Sequence, residues 1–242
     1  MTVVDDTPGP NARRAGWSMG RASLVAGIAL LLMTLLAGFA NFVAIEGLTT
    51  PGDAAKTARD IAGSETMFRW GVAAFVLVAV LDVIVAGALL ALFEPVDRRL
   101  SELAAWFRIA YAAVLLVAAA QLVIALDLLD DPGQVLRAVE SFTTIWHLGL
   151  LFFACHLLLI GYLGYRSGFM PRVIGILLVL AGLGYLGDGL GLLLVRNYSF
   201  NIALFTFVGE VVLIFWLLIS GRRLTERPGT GEAASVMSPA VK

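Results

Sequence analysis

Several acidic, histidine, amide and hydroxyl side chains stand inside stretches of the sequence that are otherwise apolar. The set consists of Asn41, Asp82, His156, Asp188, Thr206 and Glu210. Charged groups at bilayer depth are costly, usually face a bundle interior and often mark proton or ion paths. The three carboxylates, of Asp82, Asp188 and Glu210, outnumber the one histidine of this set, and the set contains no lysine. Such acids are hard to shield from water unless they share protons or bind a cation. The set predicts proton- or cation-coupled transport or sensing, with a proton, a cation or a small solute as ligand.

The depths of these residues favour one shared site. With a rise of about 1.5 Å per residue, Asp82, His156 and Glu210 fall near the midpoints of their apolar runs, and Asp188 lies about 6 Å further out. We expect these four side chains to approach one another in the middle and outer half of the membrane. Arg108 lies near the inner end of its run, from which a long side chain can snorkel to the surface.

The helix around Asp188 has two chemically different sides. Ala181, Gly184 and Gly191 share the side of Asp188, and small residues mark contacts between helices. The opposite side carries Leu183, Leu186, Leu190, Leu193 and Leu194. We therefore expect Asp188 to face protein and the leucines to face lipid.

A structural role is the alternative for the same polar groups. A buried carboxyl can stay protonated and donate a hydrogen bond to a backbone carbonyl, and an amide such as Asn41 can link two helices. The spacing of Gly187 and Gly191 suits close helix packing within one bundle or between copies. This interpretation gives a non-catalytic membrane scaffold or regulatory subunit, with a homo-oligomer contact through the fifth span.

Secondary candidates lie near the outer face. His147 follows two threonines near the end of its apolar run, where an interfacial histidine is expected. Glu65 and Arg69 are spaced to form an ion pair on one helix face. The sequence assigns no catalytic residue, and these three are secondary candidates at the outer face.

An intramembrane metal-dependent hydrolase is the least favoured alternative. His147 and His156 point to nearly opposite sides of one helix and stand about 13 Å apart along it, so they cannot share one ion. The sequence contains no H-x-x-x-H or H-E-x-x-H pair and no G-x-S-x-G nucleophile motif. We therefore expect no bound metal and no cofactor, and an enzyme stays open only as the least favoured alternative.

The amino-acid composition indicates a membrane environment. Hydrophobic residues make up 60% of the chain and charged residues 14%, with a mean hydropathy of +0.90. Soluble domains are about half apolar and about a quarter charged. The excess of apolar residues in this chain therefore predicts that its surface contacts a lipid bilayer. The net charge of −1 provides no basic surface for nucleic acid, and the single cysteine, Cys155, excludes an intrachain disulfide.

Six apolar runs are long enough to cross a bilayer as helices. They are Ala22–Ile45, Trp70–Phe93, Leu103–Leu129, Thr144–Tyr165, Val173–Val195 and Asn201–Ser220. A helix satisfies its own backbone in lipid, and about 20 residues cross the hydrocarbon core. The predicted fold is an all-α integral membrane six-helix bundle over residues 21–220, with a disordered leader (1–20) and a disordered tail (221–242).

Arginine is distributed unequally between the two sides of this bundle. It is concentrated in the leader, the second and fourth connections and the tail, whereas the other connections hold fewer basic residues. Basic residues accumulate on the cytoplasmic side of membrane proteins. Both termini are therefore predicted to be cytoplasmic.

The first outer connection has a helical pattern of its own. In "TTPGD", Thr50 is a candidate N-cap, with Pro51 at the first helical position and Asp53 following as in a capping box. Apolar residues then recur at helical spacing, which predicts an amphipathic helix over Pro51–Phe68 on the outer membrane surface. The connection Asp130–Phe142 has a similar but weaker pattern.

Three stretches resemble a known family. They read "PGDAAKTARDIAGSETMFRWG", "LDVIVAGALLALFEPVDRRLSELAAWFRIAYAAV" and "HLGLLFFACHLLLIGYLGYRSGFMPRVIGILLVLAGLGYLGDGL". In order and spacing they resemble the bacterial membrane-protein family labelled domain of unknown function 4386, over most of residues 20–195. The resemblance implies a small multi-pass protein of the bacterial plasma membrane. It supplies no activity and assigns no catalytic or binding residue.

Overall fold

The computed structural model describes residues 17–196, 198, 202 and 207–224. All secondary structure in this part of the chain is helical. The α-helices are α1 (Met19–Gly38), α2 (Ala54–Gly63), α3 (Glu65–Phe93), α4 (Arg98–Asp127), α5 (Pro132–Arg166), α6 (Arg172–Leu194) and α7 (Val208–Ile219). After α1 the chain continues through a π-helical segment, Phe39–Ile45, and a 3₁₀ turn, Glu46–Leu48. Most of the predicted leader and tail lies outside the described residues.

Five helical segments in the described ranges are long and apolar enough to cross a membrane. They are α1 with its continuation to Leu48, α3, α4, α5 and α6. The sixth predicted span, Asn201–Ser220, is described over α7, which has 12 residues, and most of the preceding stretch lies outside the described chain. The structure therefore gives an all-helical protein with helices suited to a bilayer.

Aspartates begin three of the helices. The carboxylates of Asp53, Asp97 and Asp131 each accept a hydrogen bond from the backbone N–H three residues on, at 2.9, 3.1 and 3.2 Å. Each bond satisfies one of the N–H groups that a helix N-terminus leaves free. Because these first turns are polar, hydropathy alone places the starts of α4 and α5 too late. The connection Asp130–Phe142, predicted as a weak surface helix, is instead mainly the first part of the 35-residue helix α5.

The cap predicted for the surface helix is wrong. Asp53 caps α2, and the preceding residues form a turn in which Gly52 has φ of +78°. A helix cannot run through that conformation, so it begins after the turn. Thr50 instead holds Thr57: the Thr50 N–H donates to Oγ1 of Thr57 at 3.0 Å, and this hydroxyl donates to the Thr50 carbonyl at 3.2 Å. The predicted helix Pro51–Phe68 is thus divided into α2 and the first turn of α3.

The long helices form a closed ring. α1 packs on α3, α3 on α4, α4 on α5 and α5 on α6, so that neighbours in the chain are neighbours in space. α7 packs on both α6 and α1 and closes the ring, while α2 lies against α5. Buried apolar side chains fill the interior, and exposed leucine, isoleucine and valine cover much of the exterior. That exterior is the surface expected to contact lipid.

The two sides of α6 differ in burial, although Leu186, Asp188 and Gly191 are all half-buried. Ala181 and Gly184 are buried, whereas Leu183 and Leu190 are exposed. Leu193 and Leu194 are also exposed.

One end of the ring collects arginines. In the α5–α6 turn, the ring of Phe169 lies 5.8 Å from that of Phe93 at the end of α3 and 6.2 Å from that of Trp216 in α7. Gly20, at the start of α1, lies against the backbone carbonyl of Arg222. The helix termini that meet here carry exposed arginines, which we call the arginine end. They are Arg21, Arg98, Arg99, Arg166, Arg172, Arg222 and Arg223.

Two glycines set the distance between α5 and α6. A Cβ on Gly161 would lie 2.7 Å from the carbonyl oxygen of Gly175, and a Cβ on Gly175 would lie 2.6 Å from the carbonyl oxygen of Gly161. Small residues allow helix backbones to approach this closely. The contact fixes α5, which carries His156, relative to α6.

Candidate functional site

A buried ion pair joins α3 to α4. Nη2 of Arg108 lies 2.9 Å from Oδ1 of Asp82, and the two side chains are 3% and 0% exposed. Arg108 lies about 15 Å along α4 from its first residue. The expectation that Arg108 snorkels to the inner surface is wrong, because Asp82 on the neighbouring helix holds the guanidinium inside the bundle.

His156 of α5 contacts the second terminal nitrogen of the Arg108 guanidinium. Its Nε2 lies 3.0 Å from Nη1 of Arg108, and its Nδ1 lies 2.9 Å from the carbonyl oxygen of Ala104. A guanidinium can only donate, and a carbonyl can only accept. His156 therefore accepts at Nε2 and donates from Nδ1, which assigns a neutral imidazole. Arg108 thereby links α3, α4 and α5.

The hydrogen bonding of this ion pair is incomplete. Neither carboxylate oxygen of Asp82 has a hydrogen bond among the described residues, and neither does Nε of Arg108. The 2.9 Å contact brings opposite charges together without the alignment of a hydrogen bond. Nη2 of Arg108 also lies 3.9 Å from the sulfur of Met33 in α1. A buried ion pair with unsatisfied oxygens is an expensive arrangement.

Phe153 stands at the centre of the surrounding aromatic groups. The guanidinium carbon of Arg108 lies 5.4 Å from the centroid of the Phe153 ring, and the ring stacks on His156 at 5.9 Å. Tyr111 lies 5.1 Å away, and Tyr185 approaches edge-on at 5.5 Å. The face of an aromatic ring attracts a cation, so Phe153 adds to the stabilisation of buried Arg108.

Glu210 supplies a second acid from the first turn of α7. Its Oε1 is shielded from solvent and has no hydrogen-bond partner in the described chain. The side chain lies close enough to Tyr185, Arg108 and Asp82 to interact electrostatically with all three. We call Asp82, Arg108, His156 and Glu210 the ionic cluster.

Asp188 is hydrogen-bonded to the segment that follows α6. Its Oδ1 accepts hydrogen bonds from the Tyr198 hydroxyl at 2.7 Å and from the Ile202 N–H at 2.9 Å. The glycines that were expected to pack helices make room for the same segment, because Gly191 lies against the Tyr198 ring and Gly187 against Ile202. The structure thus brings Asp82 and His156 together around Arg108 and directs Asp188 toward the segment after α6.

Tyr185 lies between these two regions. It lies close enough to both Glu210 and Asp188 to interact electrostatically with them. His147 in turn lies within electrostatic range of Asp188 and stacks on Trp146 at 6.1 Å.

The remaining candidates make local contacts. Asn41 donates from Nδ2 to Oε1 of Glu46 at 2.9 Å, within the segment that continues α1, so this bond links no second helix. Glu65 and Arg69 form the predicted ion pair at 2.7 Å, with both side chains largely exposed. Thr206 lies outside the described residues.

Sequence reasoning undervalued Arg108 and missed Phe153 and Tyr185. The signal for Arg108 was its position inside the third predicted span together with an excess of membrane acids that needed a cation. The aromatic residues gave no comparable signal, because phenylalanine and tyrosine are common throughout apolar helices.

A metal site is not evident in the described ranges. They contain no group of three or more histidine, cysteine, aspartate or glutamate side chains positioned to hold an ion. Two surface grooves, of about 570 and 390 Å³, are lined by residues 39, 62–67 and 70 and by residues 137, 140, 141, 144 and 145. Neither groove is lined by the ionic cluster.

Comparison with known proteins assigns the chain to a family. An "Uncharacterized protein" of Archaeoglobus fulgidus is 39% identical over 150 residues, which cover 62% of this chain and 83% of the relative. No solved structure matches. The family described as "Domain of unknown function (DUF4386)" matches residues 25–221, which extends the resemblance seen in the sequence through α7. The chain therefore belongs to the DUF4386 family.

Proposed function

We propose that this membrane protein binds and releases a proton at the ionic cluster and couples that event to transport or sensing. The observation that carries the proposal is the Asp82 carboxylate, which is fully buried, paired with Arg108 and without a hydrogen bond on either oxygen in the described chain. A carboxylate kept only to hold helices together gains from having both oxygens satisfied. Unsatisfied oxygens are sites where a proton can add.

The charges of the ionic cluster support the same proposal. Arg108 contributes one positive charge, and His156 is neutral because its Nε2 accepts from Arg108. When both acids are ionised, Asp82 and Glu210 together carry more charge than Arg108 balances. A single proton on either acid neutralises the cluster, and a neutral cluster is favoured in a lipid-embedded core.

The positions of these groups give the proton a mechanical effect. Asp82, Arg108, His156 and Glu210 come from α3, α4, α5 and α7. Protonation of Asp82 weakens the attraction between α3 and α4 and leaves Glu210 as the remaining anion near Arg108. The preferred packing of the ring thereby depends on which acid holds the proton.

Infrared spectroscopy tests for the labile proton. Between about pH 9 and pH 6, where exposed carboxylates stay ionised, the wild type should gain the carbonyl stretch of a protonated carboxylic acid. Asp82→Asn or Glu210→Gln should remove that band while the protein remains folded in the membrane. Glu102→Gln is the matched control, because Glu102 is 35% exposed and paired with Arg98 at 2.8 Å.

The competing outcome supports the scaffold function. If the wild type shows no pH-dependent carboxylic acid band, or if both cluster variants retain it, the ionic cluster does not titrate. A non-catalytic scaffold then replaces transport or sensing. Proton flux into vesicles that contain the purified protein, driven by an imposed potassium diffusion potential, separates transport from sensing.

We further propose six spans with both termini cytoplasmic in a bacterial plasma membrane, with α2 on the outer surface. The contact between Gly20 and Arg222 supports an even number of passes, because α1 begins at the end of the ring where α7 finishes. The arginines gathered at that end support its cytoplasmic location. The leader, the tail and a homo-oligomer contact through the fifth span stay predictions.

Thiol labelling tests the topology and the position of α2 together. In a Cys155→Ala background, Arg59→Cys should react in intact cells with a membrane-impermeant reagent, and Arg99→Cys should react only after the cells are opened. Thr57→Cys is the control within α2, because Thr57 is buried and should remain unlabelled. Labelling of Arg99→Cys in intact cells would reverse the proposed orientation.

A further inference from the structure

Two arginines at the arginine end rest on tyrosine rings where α5 turns into α6. The guanidinium carbon of Arg166 lies 5.6 Å from the centroid of the Tyr162 ring, and its Nη1 donates to the Tyr162 hydroxyl at 2.9 Å. The guanidinium carbon of Arg172 lies 5.5 Å from the centroid of the Tyr165 ring. We call these four residues the tyrosine–arginine corner.

The turn that carries this corner is held in place. Ser167 donates from its hydroxyl to the Gly164 carbonyl at 2.8 Å and accepts from the Met170 N–H at 3.1 Å. Met170 is buried with its sulfur against Gly164, and Gly168 provides the positive φ, +69°, that the turn requires. The two arginines are therefore presented by a fixed backbone, which reduces the entropy lost when they bind a ligand.

The arginines of this corner lack the acidic partners that Arg69 and Arg98 have. Arg98 pairs with Glu94 at 3.6 Å and with Glu102 at 2.8 Å, and Arg69 pairs with Glu65. In the described chain neither arginine of the corner forms a salt bridge with a carboxylate. Their charge is available to an external anion.

We propose that the tyrosine–arginine corner binds the phosphate headgroup of an anionic phospholipid. Guanidinium groups bind phosphate oxygens through paired hydrogen bonds, and basic sites between membrane helices bind anionic headgroups. A lipid fits better than free phosphate because an exposed apolar stripe on α6, formed by Val173, Ile176 and Leu180, continues from Arg172 along the bundle. An acyl chain can lie along that stripe while its headgroup contacts the arginines.

Lipid binding can be measured on the full chain by native mass spectrometry in detergent. The double variant Arg166→Gln and Arg172→Gln should bind phosphatidylglycerol at least about tenfold more weakly than the wild type. Binding of phosphatidylcholine should not change. The matched control is Arg69→Gln with Arg98→Gln, which removes the same charge from arginines that already have acidic partners, and it should retain wild-type binding.

Two further measurements make the result decisive. Arg166→Lys with Arg172→Lys keeps the charge, but lysine lacks the planar fork of arginine, so it should bind phosphatidylglycerol less tightly than the wild type. This variant carries the test if the glutamine variant does not fold. Inorganic phosphate at millimolar concentration should not displace the lipid. Equal loss in the control variant, full binding by the lysine variant or displacement by phosphate would each overturn the proposal.

Discussion

Replacing Arg108 by glutamine should lower the free energy of unfolding by about 3–5 kcal/mol, because it leaves the Asp82 carboxylate buried without its cation. The loss is expected to be large because Asp82 is fully buried and makes no hydrogen bond that could compensate within the described chain. His156 would also lose the donor at its Nε2. Denaturant titration in mixed micelles, followed by circular dichroism, measures the change.

Two comparisons separate this effect from a general effect of removing arginine. Arg98→Gln removes an exposed arginine from the start of the same helix and should leave the unfolding transition unchanged. Asp82→Asn combined with Arg108→Gln removes both charges and should recover part of the stability lost in the single variant. If Arg108→Gln unfolds at the same denaturant concentration as Arg98→Gln, the buried ion pair does not stabilise the ring.

Replacing Gly175 by alanine should destabilise the protein by about 1–3 kcal/mol through overpacking. The added Cβ would stand 2.6 Å from the Gly161 carbonyl oxygen and 2.6 Å from the Tyr165 backbone nitrogen. Both are backbone atoms that cannot rotate away, so α5 and α6 must separate. The shift would carry Phe153 and His156 away from Tyr185, and it is measurable as a lower midpoint of unfolding.

Gly87→Ala is the control for that substitution. Gly87 is also inside a membrane-length helix, but a Cβ placed there meets no atom within 4 Å. Alanine is the better helix former, so this variant should match or exceed the stability of the wild type. Equal stability of Gly87→Ala and Gly175→Ala would show that the close contact between α5 and α6 does not limit packing.

Hydropathy was sufficient to find the long helices, and helical spacing indicated the exposed leucines of α6. It could not find their starts, because Asp97 and Asp131 cap α4 and α5 with charge. The cap of α2 was misassigned for a different reason. The motif beginning at Thr50 satisfies the rule for a capping box, but the positive φ of Gly52 depends on a turn that sequence spacing does not reveal.

The sequence indicated which acidic residues lie at membrane depth, but it did not indicate which side chains contact one another. Helical rise alone indicated that Asp82 and His156 lie at similar depth, and the structure shows that both contact Arg108. The position of Arg108 was known, but the direction of its side chain depends on which helix is adjacent. Asp188 was expected to face protein, and it accepts hydrogen bonds from the segment that follows α6. Its partners Tyr198 and Ile202 come from a segment whose path no periodicity predicts.

The closed ring has a consequence for the order in which the chain enters the membrane. Asp82 and Arg108 lie on helices that are consecutive in the chain, so a nascent hairpin of α3 and α4 can bury both charges as a neutral pair. His156 follows on the next helix. Glu210 lies on α7, which follows all the other described α-helices in the chain. α7 must then pack on α1, the first of them. Among the groups of the ionic cluster, the unbalanced acid therefore comes last in the chain, on the helix that closes the described ring.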